Sequence, residues 1–486
     1  MCSSDLNLTH EWLAQVLVYL AYAAGGFPGV ILFRQFQLFA VCGLVGLIVH
    51  RRTGGFYRPV LAAIATAMVA AVISHDRPHL ITFVFLTAAI AILEHRRWVW
   101  ALPPLLLVWA NCHSGFFLGW VAMGAYCAEA LFHRWRGRPD PGERRLLLAT
   151  GASMLASGLN PDGFRVFQVL LLYRDSPMQS GILEWQRPKY WEASTFTALL
   201  YAAGAMLLWA RGKARISDWI LYALFAVAAL AAVRNIILVG IMAPVILASY
   251  FPWKKRAIPA TAGYLLLAVL LAAAISRIST AGLRLEASRW MYPSGAAEFL
   301  LQHKVPGRMF NAYEHGGYLI WRLWPHQRVF MDGRALNESV YADGRRIAYN
   351  AEKDSSGLSG EELLDKYGIQ VILMPMLDPA ADVYLLPAAL ADPVQKEWKL
   401  VYRDMQAVVF MRQPPPGVQP LNSLEALNAL EDRCRTILAG GGAATCARSV
   451  ANLFARIGDR HRANLWMHTF NQLPNRFHEP IEVLAK

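Results

Sequence analysis

The chain has 486 residues, of which 56% are hydrophobic and only 17% charged, against roughly 25% charged in a soluble domain. Several apolar runs approach the ~20 residues that cross a bilayer as helix, and they are too long for buried strands. The formal charge of +13 sits in basic clusters at 51–52, 96–97, 134–145, 211–215 and 254–256, between those runs, which excludes nucleic-acid binding and matches a positive-inside pattern.

Residues 12–24 form a short apolar run opened by Trp12, with Tyr19 and Tyr22 along it. As helix it reaches only ~20 Å against a hydrocarbon core of ~30 Å, so it is expected to lie in the outer interface; a shortened first span is the alternative. Glu11, beside His10, is placed to act as a general base or metal ligand at the membrane surface, or only to mark a helix start.

Transmembrane runs are expected at 30–49, 57–74, 79–94, 98–112, 115–132, 144–158, 195–210, 216–233, 235–250 and 259–276. With the basic clusters in the cytoplasm, the opposite face receives most of the unusual polar residues. His75, Asp76, Arg77 and His79 share one tight loop stiffened by Pro78. There Arg77 suits bidentate contact with phosphate, and the histidines suit phosphate or metal. Asn111, His113 and Ser114 lie between two helices, and Gly115 permits a close turn, so the segment reads as a substrate contact or a capped hairpin.

The 159–194 segment is a long outer loop. Asn160-Pro161 and Asp162-Gly163 are turn signals, and 166–172 suits an interfacial helix. Arg165 and Arg187 add charge. Glu184 and Trp185 resemble a sugar-facing pair, an acceptor beside an aromatic platform. Arg234 is flanked by apolar residues and needs a partner, a phosphate or a structural acid.

Near residue 280 the chain changes to a mixed polar sequence. A helix is expected after Pro293-Ser294-Gly295. Strands are expected at 308–313, 318–323, 328–332 and 369–375, a helix at 360–368, and an edge hairpin at 398–404 and 407–412, together a small α/β domain. Glu314, His315, Asp332 and Arg334 are expected to converge, either to read an acceptor or to hold the domain in place. Pro414-Pro415-Pro416 reads as a linker, and 421–438, 441–457 and 460–472 as a helical, weakly repeat-like tail. Cys434 and Cys446 either pair across two tail helices or serve as reduced packing residues. The expected divisions are 1–29, 30–279, 280–413 and 414–486. The chain carries no Walker, dinucleotide-binding, HExxH or GxSxG motif.

Seven stretches, HEWLAQVLVYLAYAAGG (10–26), HDRPHLITFVFL (75–86), NCHSGFFLG (111–119), LNPDGFRVF (159–167), ILEWQRP (182–188), FNAYEHGGYLIWRLWP (310–325) and VFMDGR (329–334), resemble a bacterial family of multispanning proteins related to the GT-C glycosyltransferases. The resemblance implies an α-helical polytopic membrane protein with an extracytoplasmic α/β domain and a helical tail, in the bacterial inner membrane. It implies transfer of a sugar from a polyprenyl-phosphate donor to a saccharide or protein acceptor. It also implies an acidic base in the first outer loop, aided by Mg2+ or Mn2+. Glu11 maps onto the family's acid, and Asp5 is the only Asp before it. The usual Asp-x-Asp-Trp-like stretch is missing, so the resemblance carries Glu11 over but not as sole base, and implies either a truncated or misassigned start or an inactive copy. A noncatalytic envelope-assembly component with protein partners for its tail, or a transporter of lipid-linked saccharide, are the competing expectations.

Overall fold

The computed structural model describes residues 11–73, 77–165, 185–252, 292–333, 337–353, 357–442 and 444–473, with isolated positions at 261, 265, 272, 276 and 285. Asp5, His75, Asp76, Glu184, Arg334, the expected interfacial helix at 166–172 and most of the expected run at 259–276 lie outside the described residues. The chain divides into two compact units, 8–287 and 288–486.

In the first unit every expected apolar run up to residue 250 is occupied by a helix. These are α1 (Trp12–Thr53), α2 (Tyr57–Ala70), α3 (His79–His95), α4 (Leu102–Cys112), α5 (Phe117–Trp135), α6 (Glu143–Ser157), α7 (Thr195–Trp209), α8 (Ile216–Ala231) and α9 (Ile236–Tyr250). Among the described residues, three helical segments, Trp12–Thr53, Ser114–Trp135 and Val233–Tyr250, are long and apolar enough to cross a membrane. Val45, Leu86, Ile90, Trp109, Phe225 and Ile241 meet in one buried core. The outer faces stay apolar: Phe39 is 73% and Val227 69% exposed, as lipid-facing side chains would be.

The long α1 is two helices. Gly25 and Gly26 leave helical geometry, Gly26 at φ +60°, a left-handed value that glycine adopts at no steric cost. A Cβ at Gly29 would collide with the carbonyl oxygen of Ala21. In one straight helix these positions stand ~12 Å apart, so the chain doubles back at the glycine pair. The half before the glycine pair sets Ala14 into a small core with Ile81 and Cys112, beside the start of α3 and the end of α4.

In the second unit the elements are α10 (Ser294–Gln302), β1 (Arg308–Asn311), α11 (Gly316–Leu323), α12 (Glu338–Ala348), α13 (Gly360–Lys366), β2 (Ile369–Met374), α14 (Leu385–Leu390), β3 (Lys399–Arg403), β4 (Val408–Met411), α15 (Glu425–Ala439), α16 (Thr445–Arg456) and α17 (Arg460–Gln472). The sheet order is β1-β2-β4-β3. β1 and β2 run parallel, and the other neighbours are antiparallel. Alternation along the strands sends Val371, Leu373, Val409 and Met411 to one face, where Leu300 of α10 and Leu319 and Leu323 of α11 cover them. Ile372, Met374, Val408 and Phe410 face the other way, into a core shared with Leu363, Leu386, Leu430, Phe454 and Trp466. The tail helices therefore complete the main core of this unit. Cys434 and Cys446 form a disulfide, as one of the two sequence readings has it.

Two expected strands differ. Residues 318–323 belong to helix α11, whose Gly316, Leu319 and Leu323 are buried at helical spacing. Residues 328–332 are irregular and lie outside the sheet. The buried side chain of Asn311 holds them beside β1, accepting from Phe330 N at 2.8 Å and donating to Met331 O at 2.8 Å. One amide thus does what a backbone ladder would do.

Candidate functional site

Helix α3 carries a polar cluster at each end. Thr82 and Glu94 are twelve residues apart on it, ~18 Å along the axis, and the buried Phe83, Leu86, Ala89 and Ile90 lie between them.

At the first end, His113 leaves α4 in an extended conformation. Its Nδ1 accepts from Gly115 N at 2.9 Å and lies 2.8 Å from Thr82 Oγ1. Trp109 Nε1 donates to that same Thr82 oxygen at 3.0 Å, which leaves the hydroxyl hydrogen for His113. With a backbone N–H pointing at Nδ1, the neutral ring carries its hydrogen on Nε2. Nε2 faces Glu11 Oε1 at 3.4 Å. Gly115 is required here: a Cβ would stand 2.7 Å from Thr82 Oγ1 and 2.8 Å from His113 Nδ1. Next to Glu11, Trp12 Nε1 donates to Asn111 Oδ1 at 2.9 Å. Asn111 in turn donates to Leu107 O and Leu159 O at 2.8 and 3.0 Å. Glu11, His113, Thr82 and Trp109 thus form one polar chain, and Trp12 with Asn111 forms a second beside it, adjacent through the backbone at 11–12 and 111–113.

His79 opens α3 one turn before Thr82 and meets Phe83 edge-on. Arg77 is exposed just before it. Arg234 follows α8, and its guanidinium stacks on Trp185 at 3.3 Å from the ring centroid, held by Val233 N donating to Gln186 O at 2.9 Å. An indole face is thus a partner of Arg234, a contact neither sequence reading included.

The implied divalent ion can be tested against the donors present. Mg2+ and Mn2+ favour octahedral oxygen sites. Among the described residues of this constellation Glu11 is the only carboxylate, and the imidazole already faces it. No group of three or more His, Cys, Asp or Glu suited to a metal occurs among the described residues. The described donors do not fit the ion, and no step is derived through it.

At the far end of α3 lies a network absent from the sequence reading. Arg52 donates to Asp218 at 2.8 and 2.9 Å and to Glu94 at 2.5 Å. Arg215 donates to both oxygens of Glu94 at 3.0 Å and to Glu129 at 3.2 Å. Tyr250 donates to Asp218 at 2.7 Å, and Tyr126 to Glu94. Asp218 is fully buried, and Glu94 and Glu129 nearly so. Arg52 and Arg215, counted among the loop charges from sequence, are therefore bound into buried ion pairs. Acids inside apolar runs were the available signal.

In the second unit the turn after β1 sends neighbouring side chains into different surroundings. Glu314 accepts from Tyr384 Oη at 3.1 and 3.2 Å, while Tyr349 donates to Asp378 at 2.7 Å and packs on Tyr384 at 5.2 Å. Burial, with Asp378 nearby, pushes the Glu314 carboxyl up to about 7. His315 is buried, and burial beside the Arg433 charge pushes it down to about 4. Asp332 is buried where Gly316 lies against Met331 and Asp332.

These two shifts oppose each other. Between about pH 4.5 and 7, native Glu314 holds a proton that the unfolded chain releases, so stability falls as pH rises. Between about pH 6.5 and 4, native His315 refuses a proton that the unfolded chain takes, so stability falls as pH drops. Each effect is worth at most about 3 kcal/mol. We expect Glu314→Gln to make the unit acid-sensitive below pH 6.5, and His315→Gln to make stability decline from pH 4.5 to 7. Hydrogen exchange of the β1 and β2 amides, corrected for intrinsic rates, reads this. Identical pH slopes in both variants would refute it.

No protein-family model and no curated protein matches the chain. Among solved structures, it is similar to the archaeal oligosaccharyltransferase AglB from Archaeoglobus fulgidus, determined with an inhibitory peptide and a dolichol-phosphate. The match has a TM-score of 0.54 at 12% identity and covers 94% of this chain and 77% of that one. The chain therefore shares the fold of that structure.

Proposed function

We propose that this GT-C-like chain is a multi-pass inner-membrane enzyme of about ten spans. In this reading it transfers a sugar from a polyprenyl-phosphate donor to an acceptor at the outer face. The observation that carries the proposal is the Glu11–His113 pair, a carboxylate facing an imidazole of fixed tautomer where apolar helices end. The donor keeps its polyprenyl tail in hydrocarbon. Glu11 takes the proton of the acceptor hydroxyl while that oxygen attacks the anomeric carbon. The bond from this carbon to the phosphate oxygen breaks, and the phosphate leaves with the bonding pair. His113, held by Thr82 and Gly115, keeps the carboxylate aimed and is a positioning residue. Arg77, His79 and Arg234 balance phosphate charge. In the soluble unit, extracytoplasmic in this reading, Glu314 is the carboxylate offered to the acceptor, and the buried His315 and Asp332 hold the turn that carries it. The apolar stretch between the polar ends of α3 supports transfer on one face over passage of a saccharide through the protein.

The test is consumption of a radiolabelled polyprenyl-phosphate sugar by the reconstituted chain, with envelope glycan as acceptor. Arg77→Ala removes charge-assisted hydrogen bonds worth about 1.5–3 kcal/mol, so donor use should fall roughly 10- to 100-fold. Undiminished transfer removes Arg77 from the donor site. An inert wild-type chain across acceptors removes the enzymatic reading and leaves the assembly role.

A further inference from the structure

The second unit presents its largest aromatic side chains to solvent in one place. Helix α11 turns Leu319 and Leu323 onto the sheet and leaves Trp321 49% exposed; Trp324, just past its end, is 62% exposed. The patch is continuous. Tyr292 stacks on Tyr318 at 5.1 Å, and Tyr318 meets Trp321 at 5.7 Å. Arg322 lies 5.6 Å over the Trp321 ring and pairs with Glu298 at 2.9 Å. Pro325, His326 and Arg328 continue the exposed surface. Gln327 donates to Gly307 O at 2.7 Å, which ties this loop to the segment bearing exposed Lys304 and Arg308.

A cluster of exposed indoles is not ordinary protein surface. Indole and phenol rings with a basic flank form the combination that settles at a bilayer interface. The rings sit among headgroups, and the cations face lipid phosphate. The chain's connectivity adds a second argument. Tyr292 belongs to the patch, and the last apolar run of the sequence ends at residue 276. A tether of sixteen residues, 276 to 292, spans at most ~55 Å even fully extended, so the patch is confined near the membrane. We propose that the Tyr292–Tyr318–Trp321–Trp324 surface docks on the headgroup region of the anionic bilayer and holds the soluble unit against it. The proposal needs the chain to be membrane-anchored and does not depend on sugar transfer.

The full chain is placed in nanodiscs of phosphatidylethanolamine and phosphatidylglycerol. An environment-sensitive fluorophore is attached at Trp324→Cys or, separately, at Arg328→Cys. Ile457→Cys is the control, because Ile457 is 51% exposed just past the end of α16, which packs on the opposite face of the sheet. Emission is quenched by lipids carrying a nitroxide near the headgroup. We expect quenching at 324 and 328 at least threefold stronger than at 457, and weaker when phosphatidylglycerol is replaced by phosphatidylcholine. Equal quenching at the patch and control positions overturns the proposal. So does a patch label that ignores the nitroxide lipid but responds to added maltoheptaose, which would make the surface a saccharide platform. The readout needs no catalytic turnover, so it is independent of whether the chain transfers sugar.

Discussion

Replacing Arg52 by Met should lower the folding equilibrium constant of the chain by at least about a hundredfold. Arg52 satisfies Asp218 and Glu94 together, and both carboxylates are removed from solvent. Deleting one partner of a buried pair leaves an uncompensated charge and costs about 3–5 kcal/mol, a large share of the stability of an average protein. Arg52→Lys should recover little, because one ammonium cannot reproduce a planar fork that bonds both Asp218 oxygens and reaches Glu94. The double change Arg52→Met, Asp218→Asn should recover part of the loss, since it removes the fully buried acid together with its partner and leaves Glu94 paired with Arg215. Thermal unfolding of the detergent-purified chain and its level in isolated membranes measure this. A normally folded Arg52→Met chain would show that the network carries no weight.

The second large effect is catalytic. Glu11→Gln keeps the size of the side chain and its contact with His113 but removes the basic oxygen. If Glu11 accepts the acceptor proton, turnover should fall by about 10²- to 10⁴-fold with the KM for donor nearly unchanged. Gly115→Ala acts on the same carboxylate without touching it. The new methyl would crowd Thr82 and His113 and move the imidazole from Glu11, so transfer should fall by roughly tenfold. Transfer assays on both reconstituted variants decide it. Activity of Glu11→Gln within twofold of wild type would assign the proton to another group.

The sequence made the helices legible where long apolar runs end in basic or glycine turns. It also located the helix at 360–366 and strands β2, β3 and β4, short buried runs bounded by turn residues. It failed at 318–323, where six residues rich in aromatic and branched side chains fit both periods. Only the burial of Leu319 and Leu323 separates helix from strand there. It failed at 328–332 because the partner of that segment is the side chain of Asn311. In the site, Glu11, Asn111 and His113 were all recognisable as polar residues at run boundaries. Their pairing across about a hundred residues was not, since no local pattern encodes it. The Glu94, Glu129 and Asp218 acids were visible within or at the ends of apolar runs. Their partners were hidden because Arg52 and Arg215 also fit a positive-inside pattern of loop charges.

Leu430, Phe454 and Trp466 share a core with Phe410 and Ile372, and this fixes an order of events during synthesis. The ribosome makes strands β1 to β4 some sixty residues before Trp466 exists. Until then one side of the new sheet has no cover, and the nascent polypeptide is open to aggregation or chaperone capture. Completion waits for almost the last helix, so a premature stop shortly after residue 413 would yield an exposed fragment instead of a smaller working protein.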